Sequence, residues 1–140
     1  MTPRVVLDTN VLVAALTARH SKAAEVLVLW RAGRFEAVVS DATLSEARLV
    51  LASGWLERMG RGEEVESLLQ ELQSRGIRVS PWPIDDLGLR DAGDLRLVEA
   101  ALAGEADYLV TADAEVLAAR GYGPTRFVTT GELISILSER

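Results

Sequence analysis

The sequence predicts an α/β fold, a mostly parallel sheet with helices on both faces. Three observations predict it. Short apolar runs alternate with amphipathic stretches along the whole chain. The first run, Val5-Val6-Leu7, is continuously apolar, as expected of a strand buried on both faces. Glycine and proline punctuate the alternation, and there is no internal repeat or linker.

In order, Arg4–Val13 contains the first strand, and Ala14–Arg19 with His20 reads as a turn or short helix. Ser21–Arg31 is helical, with Ala24, Leu27 and Val28 at helical spacing and Gly33 as its stop. Phe35–Ser40 is a short strand, and Asp41–Ser53 a helix closed by Gly54. Trp55–Arg75 is helical with a break at Gly60-Arg61-Gly62, and Gly76 ends it. Ile77–Ser80 is a strand, after which Pro81-Trp82-Pro83 forces a turn. Asp91–Gly104 is a strong helix, Asp107–Thr111 a strand and Ala114–Arg120 a helix. Gly121-Tyr122-Gly123-Pro124 reads as a loop, Arg126–Thr129 as the last strand and Gly131–Ser138 as a closing helix.

The 140 residues suit one domain, 1–140, with a proper core. With 49% hydrophobic and 26% charged residues, the composition is that of a globular protein. No apolar run reaches the ~18 residues of a membrane span, and Met-Thr-Pro-Arg has no signal-peptide layout. The chain has no cysteine, which excludes disulfides and thiolate metal sites and makes a cytoplasmic location the expectation. A single histidine, His20, argues against a histidine-rich zinc site. The net charge of −6 opposes a large phosphate-binding surface, although clustered acids can hold a metal that itself meets phosphate. Low Asn, Gln, Met and Cys content is compatible with a heat-adapted source.

Surface helices keep charge off their apolar stripe, and four acids break that rule. Asp8 ends the first strand, followed by Thr9 and the chain's one asparagine, Asn10. Glu46 lies beside the apolar side of its helix, one turn from Ala42, Leu49 and Val50. Asp94 opens the stripe Leu95, Val98, Ala101 and Leu102, and Asp113 closely follows the strand Tyr108–Thr111. In parallel α/β sheets, ligands gather at the carboxyl ends of strands. Carboxylates brought together there repel one another unless a cation intervenes. For an all-oxygen set the fitting ions are Mg²⁺ or Mn²⁺. Thr9, Asn10 and Thr111 would add neutral oxygens or orient the carboxylates. Each acid also has a plain structural reading. Asp8 could be a strand-end turn residue, Thr43-x-x-Glu46 matches a capping box, and Asp113 could cap the helix after it. Asp91 reads as a helix cap more than as a ligand, and Asp94 the reverse.

His20 is expected near the mouth of the site. Trp30, Trp55 and Trp82 read as core or interface residues rather than as a base-stacking platform. Arg19, Lys22, Arg48, Arg90 and Arg96 either meet phosphates or solvate the surface, and Glu63, Glu64 and Glu66 form a solvated helix start. A receiver-type domain would need a lysine near the last strands, and Lys22 lies in the first third. A dehalogenase-type phosphatase would need an aspartate where Asn10 stands. A Rossmann binder would need a glycine-rich turn after the first strand.

The segments Val-Leu-Asp8-Thr9-Asn10-Val-Leu, Thr43-Leu-Ser-Glu46-Ala, Asp91-x-x-Asp94-x-x-Leu-Val-Glu-Ala-Ala and Ala106-Asp-Tyr-Leu-Val-Thr111-Ala-Asp113 follow one another in this order. Together they resemble the PIN-domain family, in particular the toxins of VapBC-type toxin–antitoxin pairs. The resemblance runs from Val5 to Thr130-Gly-Glu-Leu. It implies a three-layer α/β/α sandwich with a central parallel sheet of about five strands. It also implies a Mg²⁺- or Mn²⁺-dependent endoribonuclease leaving a 5′-phosphate and a 3′-hydroxyl. By position, Asp8, Glu46, Asp94 and Asp113 match the family's acidic quartet, with Asn10 and Thr111 as its polar companions. The partners it implies are an RNA substrate, a small antitoxin and a second copy of the chain, with Trp55–Leu72 as the expected dimer surface. The alternatives are a housekeeping RNA-processing nuclease and an inactive PIN-like scaffold that binds RNA or protein.

Overall fold

The computed structural model describes residues 2–85 and 88–139, so the ends of the expected domain, Met1 and Arg140, lie outside the described residues. The order of elements is β1 (Arg4–Leu7), α1 (Thr9–Thr17), α2 (Lys22–Arg31), β2 (Glu36–Ser40), α3 (Asp41–Leu51), α4 (Trp55–Arg58), α5 (Gly62–Arg75) and β3 (Ile77–Val79). It continues with α6 (Ala92–Ala103), β4 (Tyr108–Val110), α7 (Ala114–Ala119), β5 (Gly121–Tyr122), β6 (Thr125–Val128) and α8 (Thr130–Ser138). Among the described residues no helix is long and apolar enough to cross a membrane.

The strands form one sheet in the order β3-β2-β1-β4-β6-β5. All neighbours are parallel except β5 and β6. The expected sheet of about five strands is therefore present, with a sixth, two-residue strand added at one edge. Gly121-Tyr122-Gly123-Pro124, expected as a loop, is instead half of a hairpin. Gly123 takes φ +56 at the first turn position, which lets Tyr122 pair with Thr125.

Side chains alternate across the sheet and build two cores. Val5, Leu7, Ala37, Val39, Val110 and Val128 face a layer that includes Val11, Leu27, Trp30, Leu51, Leu68 and Leu133. Val6, Val38, Leu109 and Phe127 face Leu97, Val98, Ala101 and Val116. This gives three layers, with α1, α2, α3, α5 and α8 on one face and α6 and α7 on the other.

The first strand ends at Asp8 as expected, but the helix expected from Ala14 begins earlier: the chain turns at Asp8 and α1 starts at Thr9, taking in Val11-Leu12-Val13. Asp8 sits at φ −63, ψ 143 and its side chain caps the new helix by accepting from the Asn10 N–H at 3.2 Å. Burial of Val11, Leu12, Ala15 and Leu16 then overrides the β preference of the valines.

The Trp55–Leu72 region divides in two. Val65, Leu68, Leu69 and Leu72 are buried in the core, so the apolar stripe of α5 packs inward, while Trp55 and Met59 remain at the surface.

Candidate active site

The carboxyl ends of β1 and β4 lie side by side at the centre of the sheet. The Asp8 N–H donates to the Val110 carbonyl at 3.0 Å, continuing the ladder one residue past β1. The Thr111 N–H does the same on the other side, donating to Val128 at 3.0 Å. Two polar residues are thus carried to adjacent strand ends by the apolar runs before them. Both are buried, Asp8 at 6% exposure and Thr111 at 1%. The Thr111 hydroxyl donates to Asp8 Oδ2 at 2.7 Å and accepts from the Asp113 N–H at 3.0 Å. Thr111 therefore orients Asp8 and the turn that carries Asp113.

Asp113 then caps α7, its Oδ1 accepting from the Glu115 N–H at 2.8 Å. Asp91 caps α6 in the same way, accepting from the Gly93 N–H at 2.7 Å. Asp94 follows in the first turn of α6 and is buried. The crossover from β3 to the parallel β4 places the N-terminus of α6 at the same sheet edge as Asp8 and Asp113. Glu46 reaches this edge from the opposite layer, because α3 and α6 meet. Its carboxylate lies directly against Gly93, where a Cβ would stand 2.5 Å from Oε1.

The capping reading of Glu46 does not hold. The box at the start of α3 is made by Ser40 and Thr43, each hydroxyl bonding the other's backbone N–H. Helix α3 starts at Asp41, so Thr43 is already in its first turn and the Glu46 carboxylate takes no part in the box.

Burial and neighbouring carboxylates disfavour the charge on two of these acids. Burial, the neighbouring Asp113 charge and a shared hydrogen bond with Asp113 push the Asp94 carboxyl up to about 7, with smaller contributions from Asp91 and Asp8. Burial, Asp91 and Asp8 raise Glu46 as well. Among the described residues, no Lys or Arg side chain forms an ion pair with Asp8, Glu46, Asp94 or Asp113. Nor do any three His, Cys, Asp or Glu side chains among the described residues stand together as a group that could hold a metal ion. The structure thus holds neighbouring, mutually repelling carboxylates with no protein cation between them. As an all-oxygen donor set, its chemistry fits a hard divalent ion.

Of the expected companions, Thr9 is buried beside Asp8. Asn10 is exposed, and its main-chain N–H is the group that meets Asp8. His20 is exposed in the turn after α1. Of the tryptophans, Trp30 is buried in the core, and Trp82 stands out at 85% exposure. Of the bases that either meet phosphates or solvate the surface, Arg19 pairs with Glu64, Arg48 with Glu66, Arg90 with Glu115 and Arg96 with Glu99. Glu63 and Glu64 do open α5, and Glu64 pairs with both Arg19 and Arg61.

Sequence reasoning missed three contributors. Glu99 is 4% exposed and accepts from the Ile84 N–H at 3.0 Å, tying the segment before α6 onto that helix. Glu115 accepts from the Arg90 N–H at 2.6 Å, joining the approach to α6 to the start of α7. Gly93 makes room for Glu46. A charged residue inside the run Leu97–Ala101 was the visible signal for Glu99; Glu115 and Gly93 had none.

The sequence matches the PIN domain family over residues 4–115. No curated protein matches it. Among solved structures, the fold is similar to a chain of VapBC2 from Rickettsia felis, crystallised bound to a DNA fragment from its promoter. The two are 19% identical with a TM-score of 0.61, over 90% of this chain and 98% of the other. At that identity the likeness speaks for the fold.

Proposed function

The chain belongs to the PIN domain family, and from that we propose that it is a Mg²⁺- or Mn²⁺-dependent endoribonuclease whose site is Asp8, Glu46, Asp94 and Asp113. The observation that carries this reading is the Asp94–Asp113 contact. Asp94 is buried in the first turn of α6 next to the half-buried Asp113, and burial together with that neighbouring charge pushes its carboxyl up to about 7. Asp8 and Asp91 also cap helices, but capping gives no reason for the Glu46 carboxylate to come up beside them.

The ion supplies charge neutralisation at the scissile phosphate and a lowered pKa for a bound water. The protein's residues prepare for it. Asp8 keeps its carboxylate fixed, with Oδ2 taking the Thr111 hydroxyl and Oδ1 the Asn10 N–H. Asp113 is held by the Glu115 N–H at one oxygen, while Thr111 fixes its backbone. The Asp94 carboxyl, pushed up to about 7, is only partly ionised near neutral pH and would have to lose its proton to hold an ion. Glu46 approaches from α3 and lies against Gly93 in the first turn of α6. Attack by water on an RNA phosphorus at this edge, with the P–O3′ bond breaking and the departing 3′-oxygen taking up a proton, would leave a 5′-phosphate and a 3′-hydroxyl. One of the carboxylates orients the water, and no histidine base is required.

We further propose that residues 1–140 act as one cytoplasmic PIN domain, pairing with a small antitoxin protein and with a second copy of itself. The fold likeness to VapBC2 supports the toxin reading. The test of the activity is a labelled RNA incubated with purified protein, with chelator and with Mn²⁺ added back, followed by end-group analysis. Cleavage that stops with chelator, returns with Mn²⁺ and leaves 5′-phosphates supports the proposal. RNA that is bound but never cut points to a scaffold.

A further inference from the structure

Gly93 occupies the second position of α6, between the cap Asp91 and the buried Asp94. Its backbone has ordinary helical character, so no glycine-only φ explains it. In a helix interior, alanine is the better former. What singles out this position is the Glu46 carboxylate. A Cβ on Gly93 would lie 2.5 Å from Oε1, 2.9 Å from Oε2 and 3.0 Å from Cδ. Both oxygens and the carbon between them rest on the bare Cα.

From this contact we infer that Gly93 is a positioning residue for Glu46: the missing side chain lets the carboxylate cross from α3 onto the first turn of α6 and reach the other acids. The contact joins two elements from opposite layers of the fold. A methyl group at position 93 cannot share that space with Glu46. Glu46 is the end of a flexible side chain on a half-buried position, so it swings away and the backbone stays put. Gly93→Ala therefore separates folding from site assembly. The chain keeps its fold and loses one carboxylate from the edge where Asp8, Asp94 and Asp113 stand. Gly62, at the start of α5, is the control. A Cβ there meets Glu57 Cγ at 3.5 Å and Glu57 Cβ at 4.0 Å, both ordinary contacts.

The inference rests on the metal-site reading above, and its experiment separates the two. Mn²⁺ alone is titrated calorimetrically into wild type, Gly93→Ala, Gly62→Ala, Glu46→Asp and the double variant Gly93→Ala/Glu46→Asp. Melting temperatures are taken in chelator. Gly93→Ala is expected to melt in chelator at or above wild type and to bind Mn²⁺ on the order of ten-fold more weakly, the scale of losses at residues that orient ligands. Gly62→Ala binds as wild type does. In the Glu46→Asp background, whose shorter side chain draws the carboxylate back from position 93, adding Gly93→Ala changes the affinity by less than about two-fold, because the two changes act through one contact. Unchanged affinity in Gly93→Ala overturns the inference. So does an equal loss in both backgrounds, or a melting temperature in chelator below wild type, which would make Gly93 a packing position. If wild type itself takes up no Mn²⁺, the metal reading falls, and the role of Gly93 falls with it.

Discussion

The Thr111 hydroxyl donates a 2.7 Å hydrogen bond to Asp8 Oδ2 across the adjacent ends of β4 and β1. The two residues are 103 apart in sequence and both are buried. This bond fixes the orientation of the first acid of the site, and the same hydroxyl accepts from the Asp113 N–H. Thr111→Val keeps the shape of the side chain and removes both interactions. We expect it to lower stability by about 1–3 kcal/mol in urea unfolding, since buried polar groups lose their partner. Mn²⁺ affinity should fall about ten-fold or more. A fully stable variant with normal Mn²⁺ affinity would mean that Thr111 only fills space.

Asp94 shows the opposite behaviour. Its charge is disfavoured in the folded protein, so neutralising it without changing its size should help. In chelator at pH 8, Asp94→Asn is expected to be more stable than wild type by about 1–3 kcal/mol. It should also lose most of the extra stability that Mn²⁺ gives to wild type. A variant less stable than wild type in chelator would remove the evidence for carboxylate repulsion at this edge.

The same group sets a pH dependence. The folded carboxyl titrates at about 7, against an ordinary value of 3.8. The folded state therefore holds the proton more tightly than the unfolded chain does. Its contribution to stability is full below about 3.8 and is lost as pH rises through about 7. Without metal, wild type should lose stability relative to Asp94→Asn between pH 4 and 7, with a flat difference above about pH 8. Mn²⁺ binding should strengthen over the same range, because the ion displaces a proton. Melting curves of both proteins across this range check the sign.

Glu99 separates stability from the site. It is buried, pairs with Arg96 at 2.9 Å and accepts from the Ile84 N–H, yet it lies more than a turn beyond Asp94 on α6. Glu99→Ala should cost about 2–4 kcal/mol by leaving the Ile84 N–H and Arg96 without their partner. At a temperature where the variant is folded, its Mn²⁺ affinity should match wild type. A large loss of affinity would extend the site along α6.

Much of this was visible in the residues. Asp8 and Asp113 stood out because each closely follows an apolar strand run, although both also cap the helix that comes next. Asp94 stood out because it opens a core-facing stripe. Glu46 was ambiguous, since Thr43-x-x-Glu46 matches a capping box. Only the position of the helix start, which hands that role to Ser40 and Thr43, freed it. The start of α1 was hidden by Val11 and Val13, whose local preference is for strand and whose helical state depends on packing against α2 and α3. The hairpin of β5 depends on a partner strand that a four-residue window cannot show. Gly93 was unreadable because its meaning lies in a carboxylate 47 positions away.

The most direct test of the central claim is the rate of RNA cleavage by Asp8→Asn in Mn²⁺ beside wild type. Asp8 is the acid held by both Thr111 and the Asn10 N–H at the centre of the sheet edge. The account predicts a metal-dependent wild-type rate and a loss of at least about 100-fold in the variant, equivalent to roughly 2.7 kcal/mol of transition-state stabilisation, with the fold intact by melting. Cleavage at the wild-type rate in Asp8→Asn would contradict it.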